Sequence, residues 1–246
     1  MKMLAKGSFG ALLLTAAMSV AAFPVDVTSI DGIFTNTKDQ NGNNVGGENS
    51  SHIYWGGNGS YSSYQFVSNP GVPIHKTDDS TFSLGELIHT NNQIPGSSSA
   101  LTSTDLAITL GLSGFGDAGA QDGVFQFAHD ETLDNASNIQ CTKWLLFWCT
   151  KKTDLENGPV DDTIMQTGAS VISSSLILGS FEYSLELLGF KDISVGSTSE
   201  GGTNNYELFA KLSATAVPVS VPEPGTLALL GLGLAGLGMA RRRKAA

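Results

Sequence analysis

The chain has 246 residues, 41% of them hydrophobic and 15% charged, with 29 glycines that follow no three-residue period. This composition fits one globular domain of about 200 residues with short appendages and excludes both wholesale disorder and a collagen helix. Six of the 13 basic residues lie in the two termini, where Glu223 is the one acid, so the body from Phe23 to Val221 holds 22 acidic against seven basic residues, no arginine, and a net charge near −15. A surface of that sign repels phosphate backbones and excludes nucleic acid as a partner.

Residues 1–22 begin with Lys2 and Lys6, continue through an apolar run from Phe9 to Val20, and close on the small residues Ala21 and Ala22. That order is a secretory signal helix, cut by signal peptidase before Phe23. Export places the rest of the chain where a disulfide persists.

The body then reads as strands. Short apolar runs occur at Ile53 to Trp55, Tyr64 to Val67, Thr81 to Leu87 and Val124 to Phe127. From Asp105 to Ser113, Leu106, Ile108, Leu110 and Leu112 alternate with small or polar residues, as do Phe181, Tyr183, Leu185 and Leu187, and again Tyr206, Leu208, Ala210 and Leu212. Period-two alternation is the mark of strands with one buried face. Gly179-Ser180, between two apolar runs, fits a two-residue hairpin, while Asn41-Gly42-Asn43-Asn44 and Gly196 to Gly202 read as turns. Eight to twelve strands with no helical stripe outside the termini imply an all-β fold, an antiparallel two-sheet sandwich of jelly-roll or immunoglobulin-like type, with a closed barrel as the alternative. The domain is expected over residues 23–213, followed by an extended tether over 214–221.

Candidate chemistry is sparse. Trp55, Tyr61 and Tyr64 lie at strand spacing and serve either as core or as a stacking platform for a glycan. His89 and Asn91, two apart on a strand, project to one face and can bond a shared partner. Asp117 and Asp122 flank Ala118-Gly119-Ala120-Gln121, an oxygen-rich stretch of the kind that takes Ca²⁺, with Asp78-Asp79, Asp154 and Asp161-Asp162 as further hard oxygen ligands. His129-Asp130-Glu131 sets an imidazole beside two carboxylates, yet neither a nucleophile elbow nor a metal-ligand histidine pair accompanies it, and no catalytic residue is assigned. His52 and His75 are isolated surface residues. Cys141 and Cys149, the only cysteines, are expected to form one local bridge contributing about 2–3 kcal/mol. The apolar residues between them form two short strands or a tip packed on the core.

The C-terminus repeats the logic of an address. Pro222-Glu223-Pro224 leads into the uncharged run Gly225 to Ala240, which ends on Arg241, Arg242, Arg243 and Lys244. As a helix this run would reach about 24 Å, short of the roughly 30 Å hydrocarbon core, with the basic cluster holding its end in the cytoplasm. Pro-Glu-Pro, apolar helix and basic tail in this order over 222–246 resemble the PEP-CTERM sorting signal of Gram-negative bacteria. The resemblance implies a transient membrane anchor, recognition by an exosortase near Pro-Glu-Pro, and delivery to the cell surface or exopolysaccharide matrix. In the body, Thr81 to Ile94 is similar to the segment for which the THxN family of PEP-CTERM proteins is named: His89 and Asn91 match, and Ile88 stands where that family has Thr. These readings together imply a non-enzymatic surface or biofilm-matrix protein with a structural or adhesive role. The alternative is a secreted carbohydrate-binding module or glycan hydrolase with extracellular polysaccharide as partner. No cofactor is expected, with Ca²⁺ the one candidate ion.

Overall fold

A computed structural model describes residues 21–95, 98–131, 139–145, 148–154, 161–191, 193, 195–218 and 231–234. It is all-β, with two six-stranded antiparallel sheets and one separate hairpin. The first sheet has the order β13 (Val195–Thr198), β10 (Asp162–Val171), β7 (Asp117–Asp130), β6 (Leu101–Gly114), β1 (Val25–Asp39), β4 (Ile74–Lys76). The second has the order β11 (Leu176–Leu178), β12 (Phe181–Phe190), β14 (Thr203–Ala216), β5 (Phe82–Thr90), β3 (Ser60–Ser68), β2 (His52–Gly57). β8 (Ile139–Leu145) and β9 (Trp148–Asp154) form the hairpin.

The alternating runs place their apolar residues between the sheets. Leu106, Ile108, Leu110 and Leu112 of β6 are buried, as are Tyr183 and Leu185 of β12 and Leu208, Ala210 and Leu212 of β14. Each such large side chain contributes about 1.5–3 kcal/mol by leaving water. Turn chemistry sets the hairpins: β2 and β3 are joined by Asn58-Gly59, both at positive φ, the pairing a right-twisted two-residue loop demands. β11 and β12 meet at Gly179-Ser180, with Gly179 at φ 60°.

The architecture differs from the sequence reading in three places. Val195–Thr198 is a strand, not part of a turn, because it completes the edge of the first sheet by pairing with Asp162–Met165 of β10. β14 runs on through Ala216, paired with Phe181, and the Val217 N–H donates to the Ser180 carbonyl, so the first residues assigned to the tether are sheet. The Asp117 to Asp122 stretch is not a loop but the start of β7, paired with β6 over its whole length. Asp117 and Asp122, five residues apart on a strand, therefore project to opposite faces about 17 Å apart and do not share an ion. The Asp122 carboxylate instead accepts from the Thr109 hydroxyl at 2.7 Å and that of Asp117 from the Gly179 N–H at 2.9 Å.

The signal helix expected over 1–22 lies outside the described residues except at Ala21 and Ala22; Ala22 and the following Phe23 pack on the core. Of the C-terminal apolar run, residues 231–234 form one helical turn, and the Pro-Glu-Pro and basic tail lie outside the described residues. Among the described residues no helix is long and apolar enough to cross a membrane.

Candidate functional site

A cluster of buried polar side chains lies between the sheets at one end. In β7 the inward alternation Phe125, Phe127 continues to His129 and, one step past the strand, to Glu131, so the apolar stripe turns polar without changing face. The β7–β10 register pairs Thr163 with Asp130, and its continuation brings Asp162 level with Glu131. Asp162 in turn pairs with Thr198 of β13. Glu131, Asp162 and Thr198 thus form a row across the first sheet. The second sheet covers this row with Trp55, Tyr64, His89 and Tyr206, where Tyr64 and His89 are direct cross-strand partners.

Two hydrogen-bonded chains run through the cluster. In one, the Tyr206 hydroxyl donates to the Ser197 carbonyl at 2.7 Å, so it accepts from the Thr198 hydroxyl at 2.9 Å. With its single proton so used, Thr198 Oγ1 accepts from His89 Nδ1–H at 2.8 Å. His89 is therefore the Nδ1–H tautomer, and its bare Nε2 has no hydrogen-bond partner among the described residues although the ring is 0% exposed. Asn91 Nδ2 donates to the Thr198 carbonyl at 2.9 Å. In the other chain Tyr64 Oη lies 2.6 Å from His129 Nδ1, His129 Nε2 lies 3.0 Å from Glu131 Oε2, and Trp55 Nε1 donates to the same carboxylate oxygen.

Burial governs the charges. It holds the His89 imidazolium down to about 2, with a smaller push from His129. It also lowers His129, against the pull of Asp162 and Asp130. It raises the Glu131 carboxyl to about 7, opposed by hydrogen bonds from Trp55 and Asp162, and lifts the Tyr64 phenol well above its ordinary range with help from the charges of Asp162 and Glu131. At neutral pH both imidazoles are neutral.

The expected site residues are distributed unevenly. His89 and Asn91, expected on one face, both reach Thr198. Trp55 and Tyr64 are 2% and 0% exposed, packed edge to face at 5.0 Å, so no sugar ring stacks on them. Tyr61 is 47% exposed and pairs at the surface with Tyr54, a residue the alternation does not single out. Cys141 and Cys149 form the disulfide that joins β8 to β9. His75 is exposed and hydrogen-bonded to Asp26 at 2.6 Å, beside an open groove of about 520 Å³ that Asp117 also lines. Local spacing does not reveal Trp55, Asp162, Thr198 and Tyr206 as partners of the histidines, since their proximity comes from sheet pairing. The signal present in the sequence is the polar continuation of inward stripes, His129 and Glu131 after Phe127, and Asp162 before Ile164.

Fold and cluster together define an all-β sandwich domain with a sealed polar centre. Its route is marked at the C-terminal end of the chain, where residues 220–244 match the PEP-CTERM protein-sorting motif. The motif supports an exported protein sorted by an exosortase toward the cell surface. The match does not extend into the body, so the likeness of Thr81 to Ile94 to the THxN family stays a resemblance. No curated protein matches the chain.

Proposed function

We propose that the mature domain is a non-enzymatic component of the cell surface or exopolysaccharide matrix, with a structural or adhesive role. The observation that carries this reading is a sorting motif placed behind a sandwich whose acid–base groups are sealed in the core. A hydrolase needs two carboxyl groups that a glycan can reach. Glu131 and Asp162 instead have side chains 1% and 0% exposed. The test is intact mass and fractionation from the native host with and without its exosortase. Loss of the residues after Pro-Glu-Pro and recovery outside the membrane only when the enzyme is present support the reading; a full C-terminus retained in membranes in both strains overturns it.

A second reading, glycan binding, is favoured by one feature. Tyr54 and Tyr61 stand exposed on the β2–β3 hairpin with ring centroids 5.7 Å apart, a surface aromatic pair that a sugar face can stack on. Depletion of the protein by an insoluble polysaccharide, abolished in the double variant Tyr54→Ala/Tyr61→Ala, supports this reading.

A further inference from the structure

The polar cluster brings together a donor set whose hydrogen bonds leave His89 Nε2 without a partner among the described residues. A ring nitrogen of His89, a ring nitrogen of His129 and a carboxylate oxygen of Asp162 lie within 4.8 Å of one another, all three residues buried. Glu131 Oε2 adds a fourth donor group 3.0 Å from His129 Nε2. These four come from β5, β7, its C-terminal extension and β10, so both sheets converge on one point.

Two features favour a cation at that point. His89 Nε2 presents a bare lone pair in the protein interior, where an unmade hydrogen bond is costly. The other nitrogen of the same ring donates to Thr198, which fixes the tautomer and aims the ring, as the second partner of a metal-bound histidine does. Glu131 and Asp162 also set two carboxyl groups at the same buried point. Without an ion the carboxyl groups must share a proton or carry uncompensated charge in the core.

We propose that His89, His129, Asp162 and Glu131 bind a structural Zn²⁺ ion that ties the two sheets together. Two nitrogen and two oxygen donors suit zinc and disfavour Ca²⁺, which takes six to eight oxygens. Zinc distances of about 2.0–2.2 Å place tetrahedral donors about 3.4 Å apart, so on binding the His129–Glu131 pair opens slightly while the more distant donors close up by about 1 Å. His129 presents Nε2 to the ion as its Nδ1–H tautomer, with Nδ1–H donating to the Tyr64 oxygen. Any proton shared by Glu131 and Asp162 leaves to solvent. The site is closed, with no position left for substrate, so it adds stability and no catalysis.

The test uses the protein purified after export. Metal content is read by elemental mass spectrometry, and the melting temperature is compared after dialysis against a chelator and after return of ZnCl₂ or CaCl₂. The expected result is one zinc per chain, a fall of about 5–10 °C on chelation, and recovery with zinc but not calcium. The variant His89→Gln is expected to melt cooperatively, hold no zinc and ignore the chelator. Absence of zinc above background in protein offered ZnCl₂, with the same melting temperature under every condition, overturns the proposal. So does a folded His89→Gln that retains zinc; if that variant does not fold, the wild-type titration decides alone.

Discussion

His89 and Thr198, 109 residues apart in sequence, meet at 2.8 Å where β5 of one sheet faces β13 of the other. Thr198 is held a second time, by Asn91 through its backbone carbonyl. Beyond the four-residue ladder to β10, this double grip ties the edge strand to the opposite sheet. The segment 201–202 is fastened to the same asparagine, because the Gly201 N–H donates to the Asn91 carbonyl and the Asn91 N–H to the Gly202 carbonyl.

Asn91→Ala should therefore destabilise the domain by about 1–3 kcal/mol, since it removes the amide that satisfies a buried carbonyl. Urea unfolding read by tryptophan fluorescence checks the value, and hydrogen exchange should quicken first in residues 195–202. A loss below about 0.5 kcal/mol, the scale of a surface change, would mean that β13 is held by its pairing with β10 alone.

Reduction of Cys141–Cys149 should act locally. The bridge joins the two strands of a hairpin that, among the described residues, pairs with neither main sheet. The entropy of so short a loop limits its contribution to about 2–3 kcal/mol, and a separately paired hairpin spends that on its own order. The double variant Cys141→Ser/Cys149→Ser should lower the main melting temperature by less than about 2 °C while opening residues 139–154 to proteolysis. A large drop in the main transition would show that the hairpin is part of the core's cooperative unit.

The fold is legible in the sequence where alternation is strict. β6, β12 and β14 carry clean period-two stripes, and each stripe faces the core. β1, the longest strand, escapes such a reading because its register with β6 is broken by irregularities after Val27, Thr35 and Lys38, which blur the period in Val25–Asp39. β13 is hidden by its composition: glycine, serine and threonine signal turns, and only pairing with β10 makes Val195–Thr198 a strand. At the polar cluster the sequence marks His89 with Asn91 and His129 with Glu131, as two unconnected pairs. Their convergence depends on pairing of strands that are in part more than a hundred residues apart, which no local spacing encodes.

Asp39 supplies an acid-sensitive contact away from the cluster. Its carboxylate accepts from the Asn41 and Asn43 N–H groups at 2.8 Å each, and from the Ser99 hydroxyl at 2.8 Å. Burial acts to raise its pKa, but these hydrogen bonds outweigh it and hold the carboxyl below the usual aspartate value of 3.8. The unfolded state then binds the proton first, so this stability is present above the unfolded pKa and is lost as pH falls through the folded one. Asp39→Asn should cost about 1–3 kcal/mol at pH 7 and proportionally less below pH 3 or so, compared by urea midpoints across pH. An equal cost at both pH values would assign the effect to packing of the turn, not to charge.

The aromatic residues of the β2–β3 hairpin separate folding from surface recognition. Trp55 and Tyr61 lie on adjacent strands six residues apart, yet Trp55 is 2% exposed and Tyr61 47% exposed. Trp55 packs on Tyr64 and His129 and donates to Glu131, so Trp55→Ala should cost about 3–5 kcal/mol through the cavity and the orphaned carboxylate. Tyr61→Ala removes the surface pair with Tyr54 and should change stability by less than about 0.5 kcal/mol. Thermal melts of both variants check the first contrast, and depletion by insoluble polysaccharides checks the second. Any glycan binding must follow Tyr61 and not Trp55 at a temperature where both variants are folded. Binding lost in a folded Trp55→Ala but kept in Tyr61→Ala would require the buried cluster to open to ligand, and the sealed-core basis of the non-enzymatic reading would fall with it.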